Sequence, residues 1–171
     1  LKETQLIAKS SSTTFVVLSN STIIDMSSNP NLAIEDRFAL IVSSFRFDIQ
    51  PTGLVSFDLD LTQEILILRF NDAINATFFQ SSAFVLQNAP TASSSVSLTE
   101  SSFTNSTQGI TLVVFLSVHD LNRLKEFANL CTSKANSYLR MGGEGIRDPF
   151  GQPAQPILDG SALQVTRFVE D

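Results

Sequence analysis

Ala162-Leu-Gln-Val-Thr-Arg-Phe168 near the end of the chain repeats Ala39-Leu-Ile-Val-Ser-Ser-Phe45 near its start, at an offset of 123 residues. Working outward from that pair, residues 1–48 align with residues 124–171 without a gap. Leu1-Lys2-Glu3 matches Leu124-Lys125-Glu126, and Ser10 matches Ser133. Ile23 and Asp25 match Ile146 and Asp148, while Pro30, Ile34 and Asp36 match Pro153, Ile157 and Asp159. With Asp48 matching Asp171, 14 of 48 positions are identical, where average residue frequencies would give roughly three by chance. A solenoid unit runs roughly 20–45 residues, so this period is that of a whole domain. The expected organisation is residues 1–45 as the C-terminal part of a preceding repeat and 46–171 as a complete repeat. The first segment has no counterpart to strands expected within 54–116, so it is expected not to close a core alone. Its missing strands would come from a longer parent chain or from a neighbouring molecule.

Within the complete repeat, Val55, Phe57, Leu59 and Leu61 alternate with Ser56, Asp58, Asp60 and Thr62, the period-2 pattern of a half-buried strand. Residues 64–70 are apolar on both faces and read as a central strand. Residues 83–87, 95–99, 109–116, 137–141 and 162–168 read as further strands, separated by turn-forming residues. The first copy reads likewise, with strands at 14–18 and 39–45. Ser117-Val-His-Asp120 resembles a capping box, and Leu121, Leu124 and Ala128 follow at helical spacing, which predicts a helix ending near Leu130. About seven short strands with one short crossover helix predict an all-β immunoglobulin-like β-sandwich, plus a partial copy of the same fold.

The composition narrows the function classes. The net charge is −6, and no basic stripe interleaves with aromatics, so nucleic-acid binding is not expected. No apolar run approaches the roughly 20 residues of a membrane span, and membrane insertion of this segment is not expected. The N-terminus lacks a signal-peptide pattern; for a secreted protein, the signal would lie elsewhere. Ser and Thr abound while Lys and Arg total only 11, a weakly charged polar surface that suits secreted β-proteins. The single cysteine, Cys131, rules out an intrachain disulfide. It reads as a buried small residue just after a helix, with a reactive thiol or an interchain bridge as the alternative.

The run Val55-Ser-Phe-Asp-Leu-Asp-Leu61, followed by Ile67-Leu-Arg-Phe-Asn-Asp-Ala73, resembles a repeat type of large surface proteins. So do Phe84-Val-Leu-Gln-Asn88, Asp120-Leu-Asn-Arg-Leu-Lys125 and Ile146-Arg-Asp148. These repeats are similar to the bacterial Ig-like domains of S-layer and adhesin proteins, which also recur in giant secreted proteins of protists, algae and simple animals. The resemblance implies extracellular scaffolding, surface display or fibre building, and names no ligand. Where family members often carry an Asp-x-x-Gly-Asn turn, this chain has Asp148-Pro-Phe-Gly-Gln152 and Asp25-Met-Ser-Ser-Asn29, a degenerate form.

Few residues suggest chemistry. His119, the only histidine, reads as a solvent-facing helix-start residue, and no Gly-x-Ser-x-Gly elbow supports a triad. Asp58 and Asp60 read as a solvated strand face that discourages edge pairing. Their sharper reading is part of a calcium site with Asp48 or Asp171, but the six to eight oxygens calcium takes do not assemble. Gly142-Gly-Glu-Gly145 reads as a turn, because a phosphate loop must follow a strand and open a helix. No catalytic, cofactor-binding or metal-ligating residue is expected. Three sequons, Asn20-Ser-Thr22, Asn75-Ala-Thr77 and Asn105-Ser-Thr107, fall in or beside expected turns, so Asn20, Asn75 and Asn105 are candidate N-glycan acceptors.

The expected role is therefore a non-enzymatic structural or adhesive module of a secreted or cell-surface protein. Its partners would be neighbouring repeats of the same chain or identical subunits, with N-glycans attached. Phe47, Ile49 and Pro51 are expected to stiffen the junction between repeats. One alternative is a self-assembling extracellular filament completed by strands from a neighbouring copy. Another is a ligand-binding sandwich whose site lies on the loops 101–108 and 149–156.

Overall fold

The computed structural model describes residues 8–171; the matches of Leu1, Lys2 and Glu3 to the second copy lie outside the described residues. The chain divides into two compact units, Leu1–Gln50 and Pro51–Asp171. In unit 1, β1 (Phe15–Val16) and β2 (Leu40–Ile41) pair antiparallel, with Phe15 opposite Ile41 and Val16 opposite Leu40. Unit 2 contains β3 (Leu54–Asp60), β4 (Ile65–Asn75), β5 (Phe84–Gln87), β6 (Ser95–Ser97), β7 (Phe103–Thr104) and β8 (Gln108–Phe115). The helix α1 (Val118–Lys125) follows, then β9 (Tyr138–Met141), β10 (Leu163–Gln164) and β11 (Arg167–Val169). The protein is thus mostly β, with one α-helix among the described residues.

The strands of unit 2 form two sheets, a five-stranded one in the order β11-β3-β4-β8-β7 and a four-stranded one in the order β10-β9-β5-β6. All pairs are antiparallel except β11 with β3, which run parallel with Phe168 opposite Leu59. Both sheets feed one core. Phe57, Leu66, Leu68, Leu112 and Val114 enter it from the first sheet, and Phe84, Leu86, Val96, Leu139 and Met141 from the second. Each such side chain contributes about 1.5–3 kcal/mol when fully buried, so the shared core is what holds the two sheets together.

Several local expectations change. Residues 162–168 do not form one strand. The Val165 N–H bonds to Ser137 O at 2.9 Å in the four-stranded sheet, and the Thr166 N–H bonds to Phe57 O at 2.8 Å in the five-stranded one. The chain therefore crosses between sheets there, and one apolar run becomes β10 and β11. The helix ends at Lys125 rather than near Leu130. The Phe127 N–H reaches Leu124 O in a tighter turn at 3.2 Å, and Cys131 turns the backbone left-handed at φ 53°. Val55 is exposed because the β3–β4 register shifts between Leu54 and Ser56. Asp58 and Asp60 are buried rather than solvated, since β3 lies between β11 and β4 and is not an edge. Asp58 accepts from Arg69 Nη2 at 2.8 Å, and Asp60 accepts the Gln63 N–H at 2.9 Å.

The aligned segments carry the same hydrogen bonds at the offset of 123. The Leu18/Ile34 bridge, 3.2 and 2.8 Å, has its counterpart in Met141/Ile157, also 3.2 and 2.8 Å. The Ile24/Pro30 bridge corresponds to Arg147/Pro153. Thr14 Oγ1 donates to Ser10 O at 2.7 Å, as Ser137 Oγ does to Ser133 O at 2.7 Å. Ser10 and Ser133 each open a short 3-10 helix with the same reciprocal capping. Ala8 and Cys131 both adopt positive φ, 58° and 53°.

What differs is burial. Val16 is 51% exposed where its counterpart Leu139 is 0%, and Ile23 is 62% exposed where Ile146 is 0%. The same backbone path is a closed core wall in unit 2 and an open apolar face in unit 1. Leu139→Ala should therefore cost unit 2 about 2–5 kcal/mol, the range for emptying a buried leucine site. Val16→Ala should change stability by no more than about 0.5 kcal/mol, as at exposed positions. Urea denaturation of the two variants measures both.

Candidate functional site

The loops 101–108 and 149–156 converge at the end of β4. The Asn75 N–H donates to Arg147 O at 2.9 Å, and the next N–H, of Ala76, donates to Thr107 O at 2.9 Å. Two consecutive residues thus hold the first loop on one side and, on the other, Arg147, which bridges to Pro153 of the second loop. Nothing in the spacing of the sequence signals this, since the three segments are joined only by tertiary pairing. Part of the first loop is a strand, because β7 pairs with β8 and Thr104 Oγ1 donates to Val113 O at 2.6 Å. Phe150 and Asn105 are exposed at this end.

The convergence separates the candidate glycan acceptors. Asn20 and Asn105 are exposed. Asn75 is buried, only 5% exposed. Its Oδ1 accepts the Thr77 N–H at 3.1 Å and the Thr77 hydroxyl at 2.8 Å, so the sequon residues of the folded chain are occupied with capping a 3-10 turn.

The second loop is shaped by an Asx-type turn present in both copies. Asp148 Oδ1 accepts the Phe150 and Gln152 N–H groups at 2.8 Å each. Asp25 Oδ1 accepts the Ser27 and Asn29 N–H groups at 2.8 Å each. The degenerate sequence therefore keeps the turn, because the aspartate supplies the acceptor that fixes it. The left-handed position is taken by Gly151 at φ 84° in one copy and by Ser28 at φ 66° in the other. Hydrogen bonds from the Asn29 side chain and then its backbone hold the Asp25 carboxyl below its ordinary range.

At the helix start, Ser117 caps α1 by accepting the Asp120 N–H at 3.1 Å. The reciprocal half of the expected capping box is replaced by a longer-range contact. The Ser117 N–H donates to Ser102 Oγ at 2.9 Å, and the Asp120 side chain turns away to Thr99 and Ser102. Asp120 is fully buried. Its Oδ2 accepts the Thr99 N–H at 2.9 Å, the Thr99 hydroxyl at 3.0 Å and the Ser102 hydroxyl at 2.6 Å. Its other oxygen lies 3.5 Å from Arg123 Nη1. Burial pushes this carboxyl up, but the Ser102, Thr99 and Ser117 hydrogen bonds outweigh it and leave the pKa lowered. His119, its exposed neighbour, shares no hydrogen bond with a serine or carboxylate among the described residues.

Beside α1, a cleft of about 240 Å³ is lined by Leu121, Leu124, Phe127, Leu130 and Cys131, with the Lys125–Asp171 ion pair at its rim. Burial pushes the Cys131 thiol up to about 12 against the opposing Ser137 hydrogen bond, so it stays protonated at neutral pH and is not a nucleophile there. Gly142-Gly-Glu-Gly145 is a turn, closed by the Gly145 N–H to Gly142 O at 3.0 Å. One position in it has a packing requirement that the first copy conceals. A Cβ on Gly145 would lie 3.0 Å from Met141 Cγ and 3.1 Å from Phe84 Cε2, whereas the first copy has Thr22. Among the described residues no group of three His, Cys, Asp or Glu side chains is placed to hold a metal ion, and no helix is long and apolar enough to cross a membrane. The chain matches no protein-family model, no characterised protein and no solved structure.

Two expectations follow for stability. Asp148→Ala should cost unit 2 about 1–2 kcal/mol by stranding two N–H donors, and Asp148→Asn, which retains an acceptor oxygen, should cost less; chemical denaturation compares them. For Asp120, a folded pKa below the unfolded one means that its stabilisation is complete above the ordinary carboxylate value of about 4. That contribution is lost as pH falls through the lower folded value. The melting temperature of unit 2 should drop below about pH 4, and Asp120→Asn should lower it at pH 7 while flattening that acid limb.

Proposed function

We propose that this chain is a load-bearing immunoglobulin-like repeat module of a large extracellular or cell-surface protein, with a structural or adhesive role. The strand orders support the immunoglobulin-like reading. Lettered in chain order, β3, β4, β8 and β7 correspond to A, B, E and D of one sheet, and β10, β9, β5 and β6 to G, F, C and C′ of the other. The α-helix occupies the E-to-F connection, and β11 is the added feature that carries the chain back to the first sheet.

The observation that carries the mechanical reading is the pairing of the first and last strands of unit 2. β3 and β11 run parallel, with Arg167 opposite Asp58 and Val169 opposite Asp60. The Leu61 N–H bonds to Val169 O at 2.9 Å, and Thr62 Oγ1 donates to Glu170 O at 2.7 Å. Tension on the two ends of such a pair pulls the strands past one another, so its hydrogen bonds load together rather than opening one at a time. Two segments with the same hydrogen-bond pattern at a domain-length offset are what a serial array of such modules contains. The exposed sequons Asn20 and Asn105 suit a secreted surface.

Single-molecule extension of the chain between its termini tests this. Unit 2 should rupture as a distinct high-force event. Phe168→Pro, which removes a backbone donor from β11, should lower that force more than Val96→Ala in β6, a strand outside the load path. Equal rupture forces for wild type and the proline variant would remove the load-bearing reading.

A further inference from the structure

Unit 1 repeats the path of the last third of unit 2, yet among the described residues of unit 1 nothing takes the place of the groups that hold that third in unit 2. In unit 2, β9 has β10 on one side and β5 on the other, with Phe84 opposite Met141 and Leu86 opposite Leu139. Among the described residues of unit 1, the equivalent strand β1 pairs with β2 alone. Its second edge is open, and Val16 and Phe15 beside it are about half exposed.

The backbone groups tell the same story one by one. The Gly142, Gln155 and Thr166 N–H groups donate to Ala83, Thr52 and Phe57 carbonyls at 2.9, 2.8 and 2.8 Å. The carbonyls of Gly145 and Arg147 accept from Gln80 and Asn75, both at 2.9 Å. Their counterparts are the N–H groups of Ser19, Leu32 and Ser43 and the carbonyls of Thr22 and Ile24. None of these has a backbone partner among the described residues of unit 1. Asp159 accepts the Ala92 N–H at 2.9 Å and Gln87 Nε2 at 3.0 Å. The identical residue of the first copy, Asp36, is exposed.

We infer that the open face of unit 1 is a docking site for the strand block of another repeat of this type, equivalent to residues 51–116. The block is carried on the N-terminal side of the same polypeptide, the order in which unit 2 supplies its own. Its strand corresponding to β5 adds antiparallel to the free edge of β1, placing apolar side chains opposite Val16 and Leu18. Unit 2 cannot lend its own copy, because Phe84 and Leu86 are fully buried in its core. The fit also specifies a difference. Thr22 stands where Gly145 packs against Phe84, so the incoming residue at the Phe84 position must be smaller to avoid overpacking. The inference deepens the repeat-module reading and rests on it, but its test reads unit 1, whereas rupture force reads unit 2; one can fail while the other stands.

The test extends the full chain at its N-terminus with a copy of its own residues 51–123, with Phe84→Leu in the grafted copy. The join restores the spacing found before Leu124. Hydrogen exchange is followed at the amides of Val16, Val17, Leu18 and Ile34. Docking should slow them by roughly a hundredfold or more, toward the rates of Leu139 to Met141 and Ile157. The extended chain carrying Val16→Asp and Leu18→Asp should lose that protection. Unchanged exchange in the extended chain overturns the inference, as does a grafted block that itself exchanges as an unfolded segment. A concentration-dependent dimer of the unextended chain with the same amides already protected would also overturn it, by showing that a second copy is the occupant.

Discussion

The crossing at Val165-Thr166 is the constraint on which unit 2 depends. Adjacent N–H groups bond into different sheets, one to Ser137 and the next to Phe57. The segment before the crossing completes the four-stranded sheet, and the segment after it closes the five-stranded sheet against β3. A sheet face is stable only when another layer covers it. By belonging to both layers, the last third of the repeat fixes their spacing and supplies Leu139, Met141, Ile146 and Val165 to the core between them.

The same constraint accounts for the buried polar groups. β3 is an interior strand because β11 returns to its side, and that return buries Asp58 and Asp60. Each then needs a partner inside the fold, found in Arg69 and in the Gln63 N–H. Gln87 is enclosed in the same way. Its Nε2 reaches Ala89 O, Pro90 O and Asp159 Oδ1 at 2.8, 2.9 and 3.0 Å, tying the turn after β5 to the loop before β10. Asp120 does this at the helix start, where it joins α1 to the turn after β6. The Asp120 contacts and the Gln87–Asp159 contact link segments 18 to 72 residues apart, so they specify which loops meet at each end of the unit.

Unit 1 shows what the local sequence achieves without those partners. Its capped 3-10 turn, its two isolated bridges, its Asx turn and its short β1–β2 pair all form as in the second copy. Each is closed by residues within about 30 positions of one another, and each uses an acceptor or a turn residue that the copy retains. Burial does not follow, because it requires the opposing sheet. The expected strand over 39–45 shrinks to Leu40–Ile41, since among the described residues of unit 1 no strand stands where β3 does to pair a counterpart of β11.

The amino-acid sequence by itself determined the repeat, the period-2 strands, the cap at Ser117 and the turns built on Asp25 and Asp148. These depend on near neighbours and on side-chain chemistry that both aligned segments retain. Only the tertiary structure decided that residues 162–168 serve two sheets, that Asp58, Asp60 and Asn75 are buried, and that the loops 101–108 and 149–156 share one end of unit 2. Those outcomes depend on which distant strand lies alongside, and strand partnership is set by the closing of a common core. Alternation along a single strand records only that its two faces differ.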